Sequence, residues 1–547
     1  MESIRTRYHT SLIGVLLVAI VAIADANPVG PTVNQGRATF TGQGPQLTIR
    51  TSDRAYINWQ SFNIGAGETT TFLQPSSSSL VWNRINDPNP SQILGNLNAN
   101  GYVVLQNSSG FYIGGQAAIT THGLLMTTAP IQVPDLSSGG PWQFNAPPPT
   151  AKIINYGHLD VGQGGSAFLI SNEIENHGSI SAPEGQIGLF AGKQVLLSHR
   201  PDGRGLSARV KLPQGSVSND GQLIADAGTI AVHAQVVNQG GLVQANSIRE
   251  VNGVIELVAS DSINLGAGSV IQAKGDSQGI SSGGSVTLKS GGTFADARGS
   301  TIDVSGGSQG GNGGDIEISA SRMNTFRSSI DGHAQSGFSS GKLLLDPDQI
   351  ILSNFGDPSS GTVGPDDPPA DGALYLDVTS LNSLISQNLL SHISLEAKSL
   401  IELQTQWTLP ASLDPTASLS LTSGKSIVFD DGCYLSAGNN WSVTMSAGPH
   451  LSRGSTVPAG DAITLPDGNT YLDGIYLNGN SYLQTRNGDI NLHAANEIIV
   501  NSGAIRTTQG GNIDVTADVG DVNCGVNVNG YIFGQTAPPY YRVNARN

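Results

Sequence analysis

Residues Gly310 to Asp315 read GGNGGD and match GGxGxD, the core of a calcium-binding nonapeptide. In such sites Ca²⁺ takes oxygen ligands from stacked copies of the motif. Here the next position that should be bulky and apolar is Glu317, and no tandem copy follows. We therefore interpret the segment as a Gly-rich loop, and we predict neither a metal site nor a cofactor.

Carboxylates are the other candidates for chemistry, because glycoside hydrolysis uses two acids at about 5–9 Å. A scaffold of β-strands could present such a pair on one exposed face, and the candidate acids are Asp303, Asp315, Glu317, Asp489 and Asp514. Each alternates with apolar residues, where the solvent side of a strand requires a polar residue anyway. The ten histidines are scattered, without an HExxH motif. We therefore predict no catalytic residues and no enzymatic activity, with a carbohydrate-active enzyme as the alternative.

The composition indicates folded, turn-rich β-structure. The 547 residues include 70 Gly, with 12% charged, 6% aromatic and 38% hydrophobic residues, whereas a disordered chain normally carries more charge. The formal net charge of −16 argues against binding to nucleic acid, which needs clustered Lys and Arg. It is typical of an exported protein with a solvated acidic surface.

The N-terminus has the pattern of a secretory signal peptide. Arg5 and Arg7 precede an apolar run, Leu12 to Ala24, which is short for a membrane span of about 20 residues. Ala24-Asp25-Ala26 then supplies a small-x-small cleavage site, so we predict a signal peptide at residues 1–26. An uncleaved signal anchor is the alternative interpretation.

Cys433 and Cys524 are the only cysteines in the sequence. Two cysteines in so long a chain cannot form a disulfide framework, and CxxC metal spacing is absent. They could form one bridge in an oxidising compartment, if the fold brings them into contact.

Two short units recur along the chain. The first, Asn-x-Gly-x-[Ile/Leu], begins at Asn155, Asn176, Asn219, Asn238 and Asn501. The second, Gly-x-[Ile/Val]-x-[Leu/Val/Ile], begins at Gly185, Gly228, Gly253, Gly284, Gly314, Gly488 and Gly511. The second unit is a period-2 strand, and we expect the Asn and Gly of the first to form left-handed corners.

Strands and corners at a period of about 20 residues predict an all-β solenoid, a parallel β-helix whose coils stack about 4.8 Å apart. Inward Ile, Val and Leu would form ladders that are buried only against neighbouring coils. The alternative, a sandwich of hairpins, would need two-residue turns between strands at 8–12-residue spacing, which the Gly-initiated strands do not show.

Interruptions of the repeat define the predicted organisation. The first coils occupy residues 27–128, a Pro-rich excursion follows at 129–150, and β-helix repeats run over 151–347. An acidic linker at 348–372 leads to a second β-rich repeat region at 373–547. A short helix is predicted near residues 380–390 with Ser380 as its cap, and the last eight residues show no strand pattern.

The N-terminal third resembles the secretion domain of two-partner-secretion exoproteins, the group that contains filamentous haemagglutinin and related adhesins. The resemblance runs from Asn27 to Thr128 and includes Asn58 to Gly65, Glu68-Thr69, Phe72 and Gln74-Pro75. It continues through Asn83-Arg84-Ile85 and Pro90 to Gly95, and Leu344 to Pro347 resembles an element that often ends the helix-forming part.

The resemblance implies an export-recognition motif formed by Asn83, Arg84, Ser91, Ile93, Gly95, Leu97, Ala99, Asn100, Gly101, Asn107, Gly110 and Gly114. Where the family carries Asn-Pro-Asn-Gly-Ile and then Phe-Gly, this chain has Asn107-Ser-Ser-Gly110-Phe111 and then Ile113-Gly114. Asn107 and Gly110 are retained and the proline is not.

The resemblance also implies a right-handed β-helix with short extra-helical hairpins and loops. It implies secretion via the periplasm through a partner outer-membrane β-barrel transporter, to the extracellular space or cell surface of a Gram-negative-type bacterium. We accordingly predict an adhesin-like exoprotein that binds host-cell, bacterial-cell or polysaccharide surfaces. A haem- or iron-capturing exoprotein of the same route is a further alternative.

Overall fold

The computed structural model of the chain describes residues 27–131, 136, 141–145, 147–199, 206–323, 326–354, 371–448, 462–465, 468–523 and 541–545. The predicted signal peptide, residues 355–370 of the predicted linker, and Cys524 lie outside these ranges. Within them, no helix has the length and apolarity needed to cross a membrane.

Short strands separated by turns fill the N-terminal part of the chain. They are β1 Thr32–Gln35, β2 Ala38–Gln43, β3 Gln46–Thr51, β4 Ala55–Trp59, β5 Thr69–Leu73, β6 Leu80–Ile85, β7 Ser91–Ile93, β8 Asn96–Ala99, β9 Tyr102–Asn107, β10 Phe111–Ile113, β11 Ala118–Thr121 and β12 Gly123–Thr127. The next group is β13 Trp142–Asn145, β14 Lys152–Asn155, β15 His158–Val161, β16 Ser166–Ile170, β17 Glu173–Asn176, β18 Ser179–Ser181, β19 Gln186–Phe190, β20 Gly192–His199 and β21 Leu206–Pro213.

Longer strands mark the middle of the chain. They are β22 Ser216–Asn219, β23 Gln222–Ile224, β24 Thr229–Gln239, β25 Leu242–Gln244, β26 Val254–Leu265, β27 Val270–Gln272, β28 Ser285–Asp296, β29 Thr301–Asp303, β30 Asp315–Arg322, β31 Ser329–Asp331, β32 Gly341–Asp346 and β33 Gln349–Ser353.

The C-terminal part contains the single helix of the described residues, α1 Val378–Ser386, between β34 Leu374–Asp377 and β35 Leu390–Ala397. The remaining strands are β36 Leu400–Leu403, β37 Gln406–Leu409, β38 Ser418–Ser423, β39 Ser426–Phe429, β40 Tyr434–Ala437, β41 Ser442–Ala447, β42 Ile463–Thr464, β43 Thr470–Tyr471, β44 Ile475–Leu477, β45 Tyr482–Thr485, β46 Ile490–Ala494, β47 Ile498–Val500, β48 Ala504–Thr507, β49 Ile513–Ala517, β50 Val522–Asn523 and β51 Tyr541–Ala545.

These strands wind into coils with three faces. One face, here called face A, is a continuous parallel ladder from β4 through β6, β9, β12, β16, β19, β24, β26, β28, β30, β32, β35, β38, β41, β46 and β49 to β51. A twelve-stranded sheet from β2 to β31 and a four-stranded sheet (β37, β40, β45, β48) form a second face. The third contains β7, β10, β14, β17 and β22 and, later in the chain, the seven-stranded sheet that includes β33 and β36. The predicted right-handed parallel β-helix is confirmed.

The interior is the predicted apolar ladder. On the second face Leu97 pairs in register with Ile119, and the column continues through Leu159, Ile180, Leu223, Val243, Ile271, Ile302 and Ile330. All of these side chains are buried. Because each lies against the residue one coil away, the apolar area that stabilises a coil is buried by its neighbours.

The Asn-x-Gly units do not form the left-handed corners that we predicted, since none of their Asn or Gly residues has a positive φ. The side chains of Asn155, Asn176 and Asn219 instead point into the helix, where Asn155 Nδ2 donates to Asn176 Oδ1 at 2.8 Å and Asn176 Nδ2 donates to Asn219 Oδ1 at 2.7 Å. Asn238 and Asn501 are exposed. The glycines allow close contact between coils, because a Cβ on Gly178 would lie 2.1 Å from the carbonyl oxygen of Gly157. The Asn-x-Gly unit therefore allows neighbouring coils to stack closely.

Two antiparallel sheets lie outside the helix. β13, β20 and β21 form one of them, and it covers the outer side of face A around Trp82, whose ring lies 5.3 Å from that of Trp142 in a T-shaped arrangement. β42 and β43 form the other, over a small apolar cluster that includes Val428 and Tyr476. Strand β21 lies in a polar segment that interrupts the coils after His199.

Three local expectations are wrong. The cap of α1 is Asp377, whose side chain accepts from Thr379 N and Ser380 N, so Ser380 is not the cap. The β-helix does not end at Leu344 to Pro347, because β32 pairs directly with β35 on face A. The last residues also contain a strand, β51, which pairs with β49.

Candidate export site

The residues of the predicted export-recognition motif lie on β6 to β10 and on the turns between those strands. Ile93 and Leu97 point into the core and are fully buried, and Ala99 packs against the core while partly buried. The polar members also have mainly internal contacts, which are described in turn below. The motif is therefore first of all a set of residues that hold consecutive coils together.

Asn83 connects three strands of face A. Its Oδ1 accepts a hydrogen bond of 2.9 Å from Nε1 of Trp59 on β4, and its Nδ2 donates to the carbonyl of Val104 on β9 at 3.2 Å. Asn83 and Trp59 are both buried. A buried amide of this kind is stabilising only when its partners are present.

Asn107 organises the turn that carries the family's altered sequence. Its Nδ2 donates to Ser91 Oγ at 3.0 Å and to Asn89 O at 3.2 Å, so it connects β9 to the preceding coil. Its Oδ1 accepts from Ser109 N at 2.9 Å, within the turn itself. Gly110 follows with a φ of +112°, a conformation that L side chains rarely adopt. The geometry of the turn depends on Asn107 and Gly110, with Ser108 and Ser109 between them.

Asn100 and Gly101 are held by Gln74, which the sequence comparison with the family included but which we did not assign to the site. Gln74 N donates to Asn100 Oδ1 at 2.7 Å, and Asn100 Nδ2 donates back to Gln74 O at 2.8 Å. The Gln74 side chain accepts from Gly101 N at 3.1 Å and donates to Ser79 O at 2.7 Å. Gln74 is therefore a central residue of this corner, with its side chain almost fully buried.

Arg84 is the motif residue with a long side chain in solvent. No hydrogen bond or ion pair of its guanidinium is present among the described residues, and it borders two grooves of about 290 and 630 Å³. Gln106 and Ser108 line both grooves, and Gln143 and Asn145 of the extra-helical sheet close the larger one. An unpaired guanidinium suits a carboxylate on a partner chain.

The candidate acids are not brought together as one set. Asp303 accepts from Ser305 N at 3.0 Å within a local turn, whereas Asp489 accepts from Asn512 N at 2.7 Å and so connects two neighbouring coils. Asp315 and Glu317 are the exception, because both lie on the outer side of β30 and line the same groove. Within the described residues, no group of three or more His, Cys, Asp or Glu could hold a metal ion.

Cys433 is a free, buried thiol in the part of the chain that the structure describes. Burial, together with Asp430 and Asp431, raises the pKa of the Cys433 thiol to about 11. Since Cys524 lies outside the described residues, the predicted Cys433–Cys524 bridge stays a prediction.

Residues 24–200 match the family model described as TPS secretion domain, a longer range than the 27–128 that we predicted. A Heme/hemopexin-binding protein of Haemophilus influenzae (strain ATCC 51907 / DSM 11121 / KW20 / Rd) is 28% identical over 259 residues, which is 44% of this chain and 28% of that protein. A second Heme/hemopexin-binding protein of Haemophilus influenzae is 42% identical over 88 residues, covering 16% of this chain and 10% of that protein.

The matched regions thus span less than a third of the length of these curated relatives. Among solved structures, the HMW1 secretion domain from Haemophilus influenzae is similar with a TM-score of 0.45 and 21% identity, over 89% of this chain and all of that one. The predicted secretion domain and extracellular destination are confirmed. The chain contains a TPS secretion domain over residues 24–200 and is secreted through the periplasm to the extracellular space or cell surface.

Proposed function

We propose that this chain is a non-enzymatic, adhesin-like exoprotein that binds host-cell, bacterial-cell or polysaccharide surfaces. The ladder of face A is continuous from the secretion domain into many further coils. A stiff solenoid of this kind presents its outer faces and loops over a long surface, which is how repeat proteins form extended binding sites.

The observation that carries this proposal is a stack of four loops at one corner of the helix. This loop stack comprises residues 246–253, 274–284, 305–314 and 333–340. Successive loops are joined by backbone hydrogen bonds, from Ser247 N to Lys274 O at 2.7 Å, from Gly275 N to Ser305 O at 2.8 Å and from Gly306 N to His333 O at 2.8 Å. Such loops are pre-organised, so binding a partner costs little ordering entropy.

The loop stack exposes apolar side chains. Val251 is 55% exposed and Ile280 is 66% exposed, in loops otherwise rich in Gly, Ser and Asn. Exposed apolar residues within a polar rim are typical of interaction sites. We infer that the loop stack contacts the target surface.

Binding of the purified mature chain to cells tests this function. We expect the double variant Val251→Ser/Ile280→Ser to bind at least tenfold less tightly than the wild type. Leu413→Ser is the matched control, because Leu413 is 83% exposed and lies outside the loop stack. Equal binding by both variants would contradict the proposal.

The secretion step has its own test. Deletion of residues 27–128 should abolish secretion in cells that contain the partner transporter, and unchanged secretion would contradict the role of this segment. Because Arg84 is exposed and unpaired among the described residues, Arg84→Glu should lower secretion while leaving the unfolding midpoint unchanged. A matched Arg54→Glu variant, at another exposed position of the domain, should be secreted normally.

Haem capture is the second candidate function. It is favoured by the similarity to two proteins named as heme/hemopexin-binding proteins. Titration of the purified chain with haemin, followed by its visible absorption, tests this candidate. A saturable spectral shift would support it, and an unchanged spectrum at stoichiometric haemin would exclude it.

A further inference from the structure

We propose that a groove on face A, formed by residues that follow the secretion domain in the sequence, binds a linear oligosaccharide that is neutral or carries amino groups. This inference deepens the proposed binding function and rests on it. The groove has a volume of about 400 Å³ and is lined by outward residues of β28, β30, β32, β35 and β38.

The lining residues form two rows that cross the strands. In the first row Ser285, Asp315, Lys342, His392 and Ser418 are successive register partners. In the second row Thr287, Glu317, Leu344, Ser394 and Ser420 are successive partners.

The dimensions suit an extended chain. Four inter-strand steps of about 4.8 Å give each row a length of about 19 Å, and the rows are about 6.7 Å apart because they are two residues apart on each strand. A polymer segment can therefore lie across the strands with contacts on both sides.

The first row offers donors and acceptors in fixed positions. Lys342 Nζ lies 3.3 Å from Asp315 Oδ1, and His392 Nδ1 lies 2.9 Å from Ser418 Oγ. Behind His392, the buried carboxylate of Asp414 places Oδ2 at 3.6 Å from His392 Nε2, and this oxygen accepts no hydrogen bond from the described residues. The imidazole is thus hydrogen-bonded to Ser418 on one side and lies near a buried carboxylate on the other.

The second row adds a small apolar surface. Leu344 is half-buried at its centre, with hydroxyl groups of Thr287, Ser394 and Ser420 on either side. Hydroxyls and carboxylates can hydrogen-bond to sugar hydroxyls, while the leucine can contact the apolar C–H face of a sugar ring. The lining contains no Phe, Tyr or Trp, and His392 supplies its one ring.

The charge of the groove and the backbone pairing of its strands argue against two classes of ligand, anionic polymers and peptides that bind as an added strand. Two carboxylates, Asp315 and Glu317, face one ammonium, Lys342, so the groove disfavours anionic polymers. A peptide that binds as an added strand needs an open sheet edge, whereas β30 and β32 are paired on both sides. A neutral or amino-bearing sugar chain fits both constraints.

Titration calorimetry of the mature chain tests the proposal, with cellotetraose and a glucosamine tetramer as probes and a tetragalacturonate as the anionic counterpart. We expect the wild type to bind at least one of the first two more than tenfold more tightly than tetragalacturonate. Glu317→Gln and Leu344→Lys should each weaken that binding at least tenfold. Asp514→Asn is the matched control, since Asp514 is an outward acid of face A outside the groove, and it should bind as the wild type.

The failures of the two proposals can be distinguished. Absence of binding by every probe, preference for tetragalacturonate, or unchanged binding by both groove variants would overturn the groove proposal. If cells are still bound through the loop stack in that case, the adhesive function stands. Cleavage of a bound probe into shorter sugars would support the groove and overturn the non-enzymatic part of the proposed function.

Discussion

Nε1 of Trp59 donates a 2.9 Å hydrogen bond to Oδ1 of Asn83, with both side chains buried in the secretion domain. The two residues lie on β4 and β6, which are adjacent strands of face A. Asn83, the first residue of the export-recognition motif, thus accepts the hydrogen bond of the buried indole N–H of Trp59, which belongs to the preceding coil. Loss of secretion on changing Asn83 would therefore report on folding as well as on recognition.

The variant Asn83→Ala should destabilise the secretion domain. It leaves the buried Trp59 Nε1 without its acceptor, which costs about 1–3 kcal/mol. Urea unfolding of the mature chain, followed by tryptophan fluorescence, measures the change. Arg84→Gln is the control, because a surface change of this type stays within about 0.5 kcal/mol; equal losses for the two variants would contradict the prediction.

Removing a buried Asn from the column Asn155, Asn176 and Asn219 should lower the free energy of unfolding more than removing an exposed Asn that makes the same kind of hydrogen bond. Asn176→Ala removes the acceptor of Asn155 and the donor to Asn219, so we expect a loss of about 2–4 kcal/mol from two unsatisfied groups. Asn264→Ala removes a solvent-exposed bond to Asn238 and should cost less than about 0.5 kcal/mol. Chemical denaturation of both variants provides the comparison, which fails if their midpoints coincide.

Close stacking of coils predicts that Gly178→Ala is destabilising. The added Cβ would lie 2.1 Å from Gly157 O, so the two coils must move apart, at about 1–3 kcal/mol. Gly279→Ala is the matched control, because nothing lies within 4 Å of its Cβ and its φ is not positive. Thermal unfolding should show a lower midpoint for Gly178→Ala only.

Acidification should weaken the C-terminal coils through His392. Burial lowers the pKa of His392 and nearby Lys342 acts in the same direction, although the Asp414 and Asp315 carboxylates oppose it. The folded state therefore binds this proton less readily than the unfolded state, and stability falls as pH decreases through the unfolded pKa of about 6.5. Urea unfolding at pH 7 and pH 5 should show a smaller decrease for His392→Gln than for the wild type.

A proton NMR titration checks the sign directly. The imidazole signal absent from His392→Gln should titrate below about 6.5 in the native chain. A midpoint at or above that value would contradict the prediction.

Cys433 should be unreactive in the native state. With its pKa raised to about 11 by burial and by the neighbouring Asp430 and Asp431, little thiolate is present at neutral pH. In a Cys524→Ser background, a thiol reagent should label Cys433 only after denaturation. Ser436→Cys in a chain without the native cysteines is the control, because position 436 is partly exposed on β40, the strand that begins directly after Cys433. It should react at once.

The regular part of the fold could be predicted because the strand units repeat. Each Gly-x-Ile-x-Leu segment places two apolar residues on one side, and the structure buries residues such as Ile230 and Val232 in the shared core. The period of the units then requires coils, since a single coil cannot bury its own ladder.

Other features could not be predicted because their partners are distant in sequence. The extra-helical sheet depends on contacts of Trp82 with Trp142 and of β13 with β20, and no local pattern in residues 192–213 indicates them. The Asn column was misinterpreted because Asn next to Gly is typical of turns, while its burial becomes visible only when coils are superposed. The grouping of Asp315, Glu317, Lys342 and His392 in one groove likewise requires the register of β30, β32 and β35.

β1 and β2 run antiparallel to the coils that they cover, at the start of two faces. A second molecule that approached this side would meet short strands of opposite polarity instead of a template for a parallel coil. The solenoid can therefore be extended in one direction only, and copies cannot join head to tail into filaments through this end. The stacking of coils therefore has a fixed origin at β1 and β2 and a defined direction.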